Sequence, residues 1–395
     1  MADEKEFLSE QKERFEAFKS QTLGGYAQPI GESDKKADER IEKAEGASLK
    51  PVIASEREIG EDAESPDGPV GLDIGTSHIV AAQEKFKHIH VVKQLNAFFT
   101  VPKSKFSRSI LNKNQVMYYE RGDLFYVIGY SAESFANMFN MNSRQPVKEG
   151  FLSSHEEEGM SVIKAIVGTL IKKPRNFGET LCFAIPGEPI DGGGSVVYHE
   201  SVIKRFLGSM GYSPVSINEG MAIVVSELAS DDYTGIGISM GGGMCNVCLS
   251  YLSFPVITYS IKKAGDYIDS MVEASVGVPA TKIKVIKEEG LDLSKEPTDR
   301  ITTALHIFYD ELIFSLLDSL QRVLTSTDKV PKISSPIPIV LSGGTAMPKG
   351  CKEKFEKVLN SIQLPIEISG VRLAEDPLNT TAKGALIMAM TEAKS

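Results

Sequence analysis

The chain has 395 residues, 42% hydrophobic and 24% charged, enough for two or more cores because a single core rarely grows past about 250–300 residues. A net charge of −10 argues against nucleic acid as the main partner. Four cysteines make no disulfide framework, and no apolar run approaches the ~20 residues that span a bilayer. The opening MADEKEFLSE lacks the apolar stretch of a signal peptide, which predicts a cytoplasmic chain.

Charge is unevenly spread. Residues 1–68 hold 18 acidic and 10 basic side chains, while the rest of the chain holds 35 and 33. So polar a stretch cannot bury enough surface to offset its ordering entropy, and 1–68 reads as an acidic, largely disordered tail. Within it Phe7, Leu8, Phe15 and Phe18 share one face of a short helix over 4–19. That helix is either transient or a docking element; its mixed charge suits a protein partner better than an anionic membrane.

From Pro69 onward strands and helices alternate. PVGLDIG and HIVAAQEKF predict a hairpin around a Gly-Thr-Ser turn. From His155, apolar residues at Met160, Ile163, Val167 and Leu170 predict a helix, whose opening glutamates at 156–158 favour its N-terminus. LCFAIP is a short buried strand, SVIKRFLGSMG a helix closed by Gly211, and INEGMAIVVSELA another helix. TGIGIS and NVCLSYL flank a glycine run as strand, loop, strand. Residues Ile301–Leu324 form a long amphipathic helix with Leu305, Phe308, Leu312, Leu316 and Leu320 inward, and PIPIVLSGG is a strand followed by the helix PKGCKEKFEKVLNSI. The strand–turn–strand that opens at Asp73 recurs at Ser239, and two halves of one design suit a ligand held between them.

Three glycine loops carry the chemistry. In GLDIGTSH, Asp73 ends a strand and Gly75, Thr76 and Ser77 make the turn; in SMGGGMCN, Gly241, Gly242 and Gly243 make a second turn. Backbone amides of such turns can converge on an anion, and glycine permits close approach. In IVLSGGTAMPKG, Gly343 and Gly344 leave bare backbone against which a planar group could lie. Singly, each loop is what any tight hairpin prefers.

Together, in this order and spacing, the loops resemble the actin-like ATPases, the superfamily that includes sugar kinases and DnaK-type chaperones. GLDIGTS and SMGGGMCNV resemble its two phosphate loops, IVLSGGTAMPKG its adenosine loop, INEGMA its connecting helix and AEDPLNTTAKGALIMA its closing helix. RQPVKEGFL, KKAGDYID and ATKIKVIKEEG are similar to segments of the bacterial actins MreB and MamK. The resemblance covers about 69–391. It implies an α/β fold of two RNase-H-like domains with a nucleotide cleft between them, over a body of 69–395 with halves of about 69–220 and 221–395. It implies ATP or ADP with Mg²⁺ as ligands, and self-association into filaments. Asp73 would face the metal through water. Thr76, Ser77 and His78, with Gly75, would line the β- and γ-phosphates, as would Gly241, Gly242, Gly243 and Met244. Thr281, Lys282 and Lys284 would lie at the ribose and adenine, and Gly343, Gly344, Thr345, Ala346 and Met347 would floor the base. Glu219 matches the glutamate that orients the attacking water.

One departure stands out. Where the family's second loop begins with aspartate, this chain has Ser239, which carries no charge and is a poor base. Asn246 stands where chaperones place an acid. Both imply slow hydrolysis. Other features read as structure. Cys245 and Cys248 have CxxC spacing but alternate to opposite faces of a strand with no second pair, so both are expected to be small core residues. His88 and His90 share a strand face that is expected to be solvated. The sequence thus predicts a bacterial actin-like cytoskeletal protein that binds ATP and polymerises, with weak ATPase activity. The alternatives are a monomeric nucleotide-binding adaptor of the FtsA or PilM kind and a small-molecule kinase. No added acidic base or sugar-binding insert favours the kinase.

Overall fold

The computed structural model describes residues 65–393 apart from 139–142, 153–157, 328–329 and 334. The acidic tail up to residue 64, its helix over 4–19 and two of the three glutamates at 156–158 lie outside the described residues.

The chain opens with the hairpin β1 (Val70–Ile74) and β2 (His78–Lys85), continued by β3 (His88–Leu95). A small sheet follows, of β4 (Phe98–Pro102), β5 (Tyr118–Arg121) and β6 (Leu124–Ile128), with α1 (Lys105–Lys113) inserted after β4 and α2 (Tyr130–Met138) after β6. The two-residue strands β7 (Val147–Lys148) and β8 (Phe151–Leu152) precede α3 (Gly159–Leu170), β9 (Thr180–Ile185), α4 (Val196–Ser209) and β10 (Ser213–Asn218). Helix α5 (Glu219–Glu227) leads into β11 (Gly235–Met240), β12 (Cys245–Tyr251) and β13 (Phe254–Ile261). Then come α6 (Gly265–Val276), α7 (Ala280–Gly290), α8 (Arg300–Ser326), β14 (Ile337–Ser342), α9 (Cys351–Leu359), β15 (Ile368–Leu373) and α10 (Thr380–Glu392).

These elements form two compact units. The larger, residues 65–265, Pro331–Met347 and 368–393, holds two five-stranded sheets of one design. The first has the order β3-β2-β1-β9-β10 and the second β13-β12-β11-β14-β15. In each, the first three strands are antiparallel and the last two run parallel to the first hairpin strand. The duplication seen at Asp73 and Ser239 therefore extends through both sheets, with a constant spacing of 166 residues along the hairpins. Even the second turns agree: Phe86-Lys87 and Leu252-Ser253 all have left-handed backbones, with φ from +49° to +72°.

Hydrophobic burial explains the layering. Val162, Ile163, Ile166 and Val167 of α3 are fully buried against Leu72 and Phe183, the 3.6-residue period read from the sequence. On the other side α10 covers β1 and β9 while α5 covers β11 and β12, and the two helices pack on each other. The approach is so close that only glycine fits. A Cβ on Gly71 would lie 2.2 Å from the Ala382 carbonyl oxygen, one on Gly237 2.3 Å from that of Gly220, and one on Gly384 1.9 Å from that of Ala222.

Three local expectations change. Helix α4 begins at Val196, five residues before the expected Ser201, because the Ser195 hydroxyl accepts the Tyr198 amide at 3.2 Å and caps it. Strand β10 was not anticipated through Pro214; it lies on the sheet edge, where a missing N–H costs no ladder bond. Phe308 is only half-buried, and Tyr309 takes its place in the core.

The second unit, Asp266–Val330 and Pro348–Glu367, is helical. Its long α8 opens on a capping box of Asp299 and Thr302 and buries Leu305, Leu312, Leu316 and Leu320. Inside it Lys287 pairs with Asp269 at 2.7 Å and Lys354 with Asp310 at 2.8 Å. Among the described residues no helix is long and apolar enough to cross a membrane. Cys245 and Cys248 are buried thiols, and His88 and His90 are exposed, as expected.

Candidate functional site

The two glycine hairpins are built alike. In the first, the Gly75 amide donates to the His78 carbonyl at 2.9 Å; in the second, Gly241 donates to Met244 at 3.0 Å. Each closing bond uses only the first glycine, and among the described residues the amides of Thr76, Ser77, Gly242 and Gly243 donate to no backbone carbonyl. Asn96, fully buried, supports the first loop from below. Its amide donates to the Ser77 carbonyl and its side chain to the Gly75 carbonyl, both at 2.9 Å.

The loops interlock through the β7–β8 turn. The Gly150 amide donates to the Thr76 hydroxyl at 3.2 Å. A Cβ on Gly243 would fall 2.3 Å from that hydroxyl oxygen, and one on Gly150 would fall 2.0 Å from the Met244 sulfur. Gly150 is also left-handed, with φ +74°, so no other residue satisfies both demands. RQPVKEGFL was noted in the sequence, but its role as the wedge between the loops was not; the isolated glycine between two short strands was the available signal.

Two carboxylates meet at the strand ends. Asp73 is the fourth residue of β1, and Glu219 opens α5, whose first amides are capped by the Asn218 side chain at 3.0 and 3.3 Å. Burial, and then the Glu219 charge, push the Asp73 pKa well above the usual aspartate range. Burial also raises Glu219, opposed by hydrogen bonds from Ser239 and Asn246. Asn246 donates to Glu219 Oε2 at 2.8 Å.

The third loop is tied to the second. The Thr345 hydroxyl donates to the Gly241 carbonyl at 2.7 Å, and the Gly265 amide donates to the same oxygen at 3.1 Å. Gly343 is left-handed, and a Cβ there would lie 2.3 Å from the Met240 carbonyl oxygen. Gly344 differs: a Cβ would meet only the Leu378 side chain at 3.4 Å, so its face is open. Ala346 is buried and Met347 is 46% exposed.

Of the residues singled out from sequence, Asp73, Gly75, Thr76, Ser77, His78, Glu219, Ser239, Gly241–Met244 and Gly343–Met347 all belong to the larger unit. Thr281, Lys282 and Lys284 stand half-buried on α7 in the helical unit. Asn96 and Gly150 were missed. Each acts through its backbone or beneath a loop, where no motif marks it.

The geometry can be set beside known proteins. Among solved structures, the MamK double helical filament superposes with a TM-score of 0.61 at 16% identity, over 83% of this chain and 98% of that one. MreB 5 of Spiroplasma citri bound to AMPPNP gives 0.56 at 15% identity, over 82% and 97%. The ethanolamine utilization protein EutJ from Carboxydothermus hydrogenoformans gives 0.50 at 18% identity, over 84% and 93%. At these identities the likeness establishes the fold, which is actin-like, as the loops implied. No curated protein matches the sequence significantly. The Volactin family model matches residues 69–389, and the chain belongs to that family.

Proposed function

We propose that this protein binds ATP with Mg²⁺ at the paired hairpin loops and polymerises into filaments, hydrolysing ATP slowly. The observation that carries the reading is the interlocked loop pair, with amides of Thr76, Ser77, Gly242 and Gly243 left out of backbone bonding beside the Asp73–Glu219 carboxylates. Amides presented by two turns suit a chain of phosphates. Two neighbouring carboxylates, the Glu219 charge raising the Asp73 pKa, suit a cation, and the donors fit magnesium in particular. Among the described residues no three His, Cys, Asp or Glu side chains form a metal cage, whereas Mg²⁺ keeps several waters and takes one or two carboxylates plus phosphate oxygens. Asp73 would hold such an ion through water, supplying charge neutralisation at the phosphates. The open face at Gly344 gives an adenine a place to lie.

Polymerisation is supported by the fold's likeness to the MamK filament. Relatives captured with AMPPNP and ADP support the choice of nucleotide. A head-to-tail contact that does not close a ring gives an open filament. Negative-stain electron microscopy and pelleting of the purified protein with ATP and Mg²⁺ test this reading. Filaments that need nucleotide are expected; a monodisperse monomer that binds ATP would instead favour the adaptor.

A further inference from the structure

Ser239 and Asn246 are direct cross-strand partners at the ends of β11 and β12, and both side chains are buried. The Asn246 side-chain amide donates to Glu219 Oε2 at 2.8 Å, which brings that carboxylate to the strand pair where Ser239 stands directly opposite Asn246. The orientation of Asn246 is fixed by chemistry. Its Oδ1 accepts the Gly187 amide at 2.8 Å, so its Nδ2 is the end that faces Glu219.

That brace is rigid on both sides. Gly187 lies against the bare backbone of Tyr259, and its carbonyl accepts the Ser260 hydroxyl at 2.8 Å. At the other end, a Cβ on Gly220 would fall 2.7 Å from the Cys248 amide nitrogen, so the helix start that carries Glu219 sits directly on β12.

We propose that Ser239 and Asn246 form a two-donor cradle that orients the Glu219 carboxylate, so that Ser239 is a positioning residue and not the remnant of a lost acid. The proposal rests on reading the site as one for nucleotide. Position 239 and position 246 have to be read together. With acids at both, Glu219 would face two further carboxylates; with serine and asparagine it faces two donors, and hydrogen bonds to a charged acceptor are among the stronger ones.

The consequence runs against the intuition that restoring aspartate restores activity. Ser239→Asp sets a third carboxylate against Glu219 and removes one donor. Asn246→Asp keeps the Gly187 bond but loses the other donor. The experiment measures ATP turnover, KM and the Kd of a fluorescent ATP analogue for the full chain with Mg²⁺, together with melting temperature. Ser239→Ala, Ser239→Asp and Asn246→Asp are expected to lower kcat by roughly 10–100-fold with KM and Kd within about threefold. Ser239→Thr, which keeps the hydroxyl, is expected to stay within about threefold of the parent in kcat. A merely structural role would not spare KM or be rescued by threonine. If Ser239→Ala melts early, the isosteric Asn246→Asp carries the test.

A Ser239→Asp enzyme faster than the parent overturns the proposal, as does a Ser239→Ala enzyme equal to it. So does a parent that binds ATP yet turns over no faster than Glu219→Ala. A parent that binds no nucleotide overturns the reading of the site itself, and the proposal with it.

Discussion

The contact between α5 and α10 makes a sharp prediction for Gly384→Ala. The added Cβ would sit 1.9 Å from the Ala222 carbonyl oxygen, 2.6 Å from its carbonyl carbon and 2.9 Å from its Cα. All three are backbone atoms, so no rotamer change relieves the overlap, and the helices have to part. Overpacking of this kind costs about 3 kcal/mol or more, and alanine's better helix propensity returns about 1 kcal/mol. The net loss is therefore about 2–3 kcal/mol. With an unfolding entropy of about 2.1 cal/mol/K per residue, a body of this length should melt roughly 3–5 °C lower. Gly168→Ala is the control. Gly168 lies on the exposed side of α3 with nothing within 4 Å of a new Cβ, and the same substitution there should raise the melting temperature by about 1 °C. Differential scanning calorimetry of both variants decides the matter. A Gly384→Ala protein melting at or above the parent would refute the claimed backbone contact.

Asp73→Ala should abolish most of the thermal stabilisation that saturating Mg²⁺-ATP gives, an effect of about 2.7 kcal/mol at a hundredfold excess over Kd; an undiminished shift removes Asp73 from the site. Gly344→Val should lose the same shift while the ligand-free protein melts near the parent, since only Leu378 stands near a new Cβ. His199 accepts the Leu152 amide at 3.3 Å, and burial pushes its pKa down to about 4. The folded state then binds fewer protons than the unfolded one, so stability is lost as pH falls from about 6.5 towards 4. Between pH 7 and 5 His199→Gln should lose about 2 kcal/mol less than the parent, read from urea melts at both pH values. Deleting residues 1–64 should leave a folded body that gives the same ATP-induced thermal shift.

What the sequence made legible follows from where periodicity survives. The two glycine hairpins could be read because one face of each strand is apolar and the turn residues are the permissive ones. Helices α3 and α8 could be read because each has one covered stripe. The small sheet could not. Along β6, Phe125 and Val127 enter one core cluster while Tyr126 and Ile128 enter another, so the strand is buried on both faces and shows no alternation. The site divides in the same way. Asp73, Glu219 and the three loops announce themselves by residue type, whereas Gly150 and Gly187 act by where their backbone lies and Asn96 by reaching a loop 21 residues away, which depends on segments distant in sequence. Ser239 and Asn246 depart from the family pattern at two separate places, but that they stand opposite each other beside Glu219 appears only once β11 and β12 are paired.

Residues 70–87 and 236–253 amount to two independent trials of one backbone. Asp73 and Ser239, Thr76 and Gly242, His78 and Met244, and Phe86 and Leu252 occupy matching places and share no identity, so the path of the chain tolerates wide exchange of chemistry there. Two matching pairs do share identity. Gly71 and Gly237 face carbonyl oxygens at 2.2 and 2.3 Å from a would-be Cβ, and Gly75 and Gly241 face others at 3.1 and 3.0 Å. The molecule thus contains its own control experiment. A substitution contemplated in one half is calibrated by the residue already standing in the other, and the glycines that both halves retain mark where the backbone has no slack.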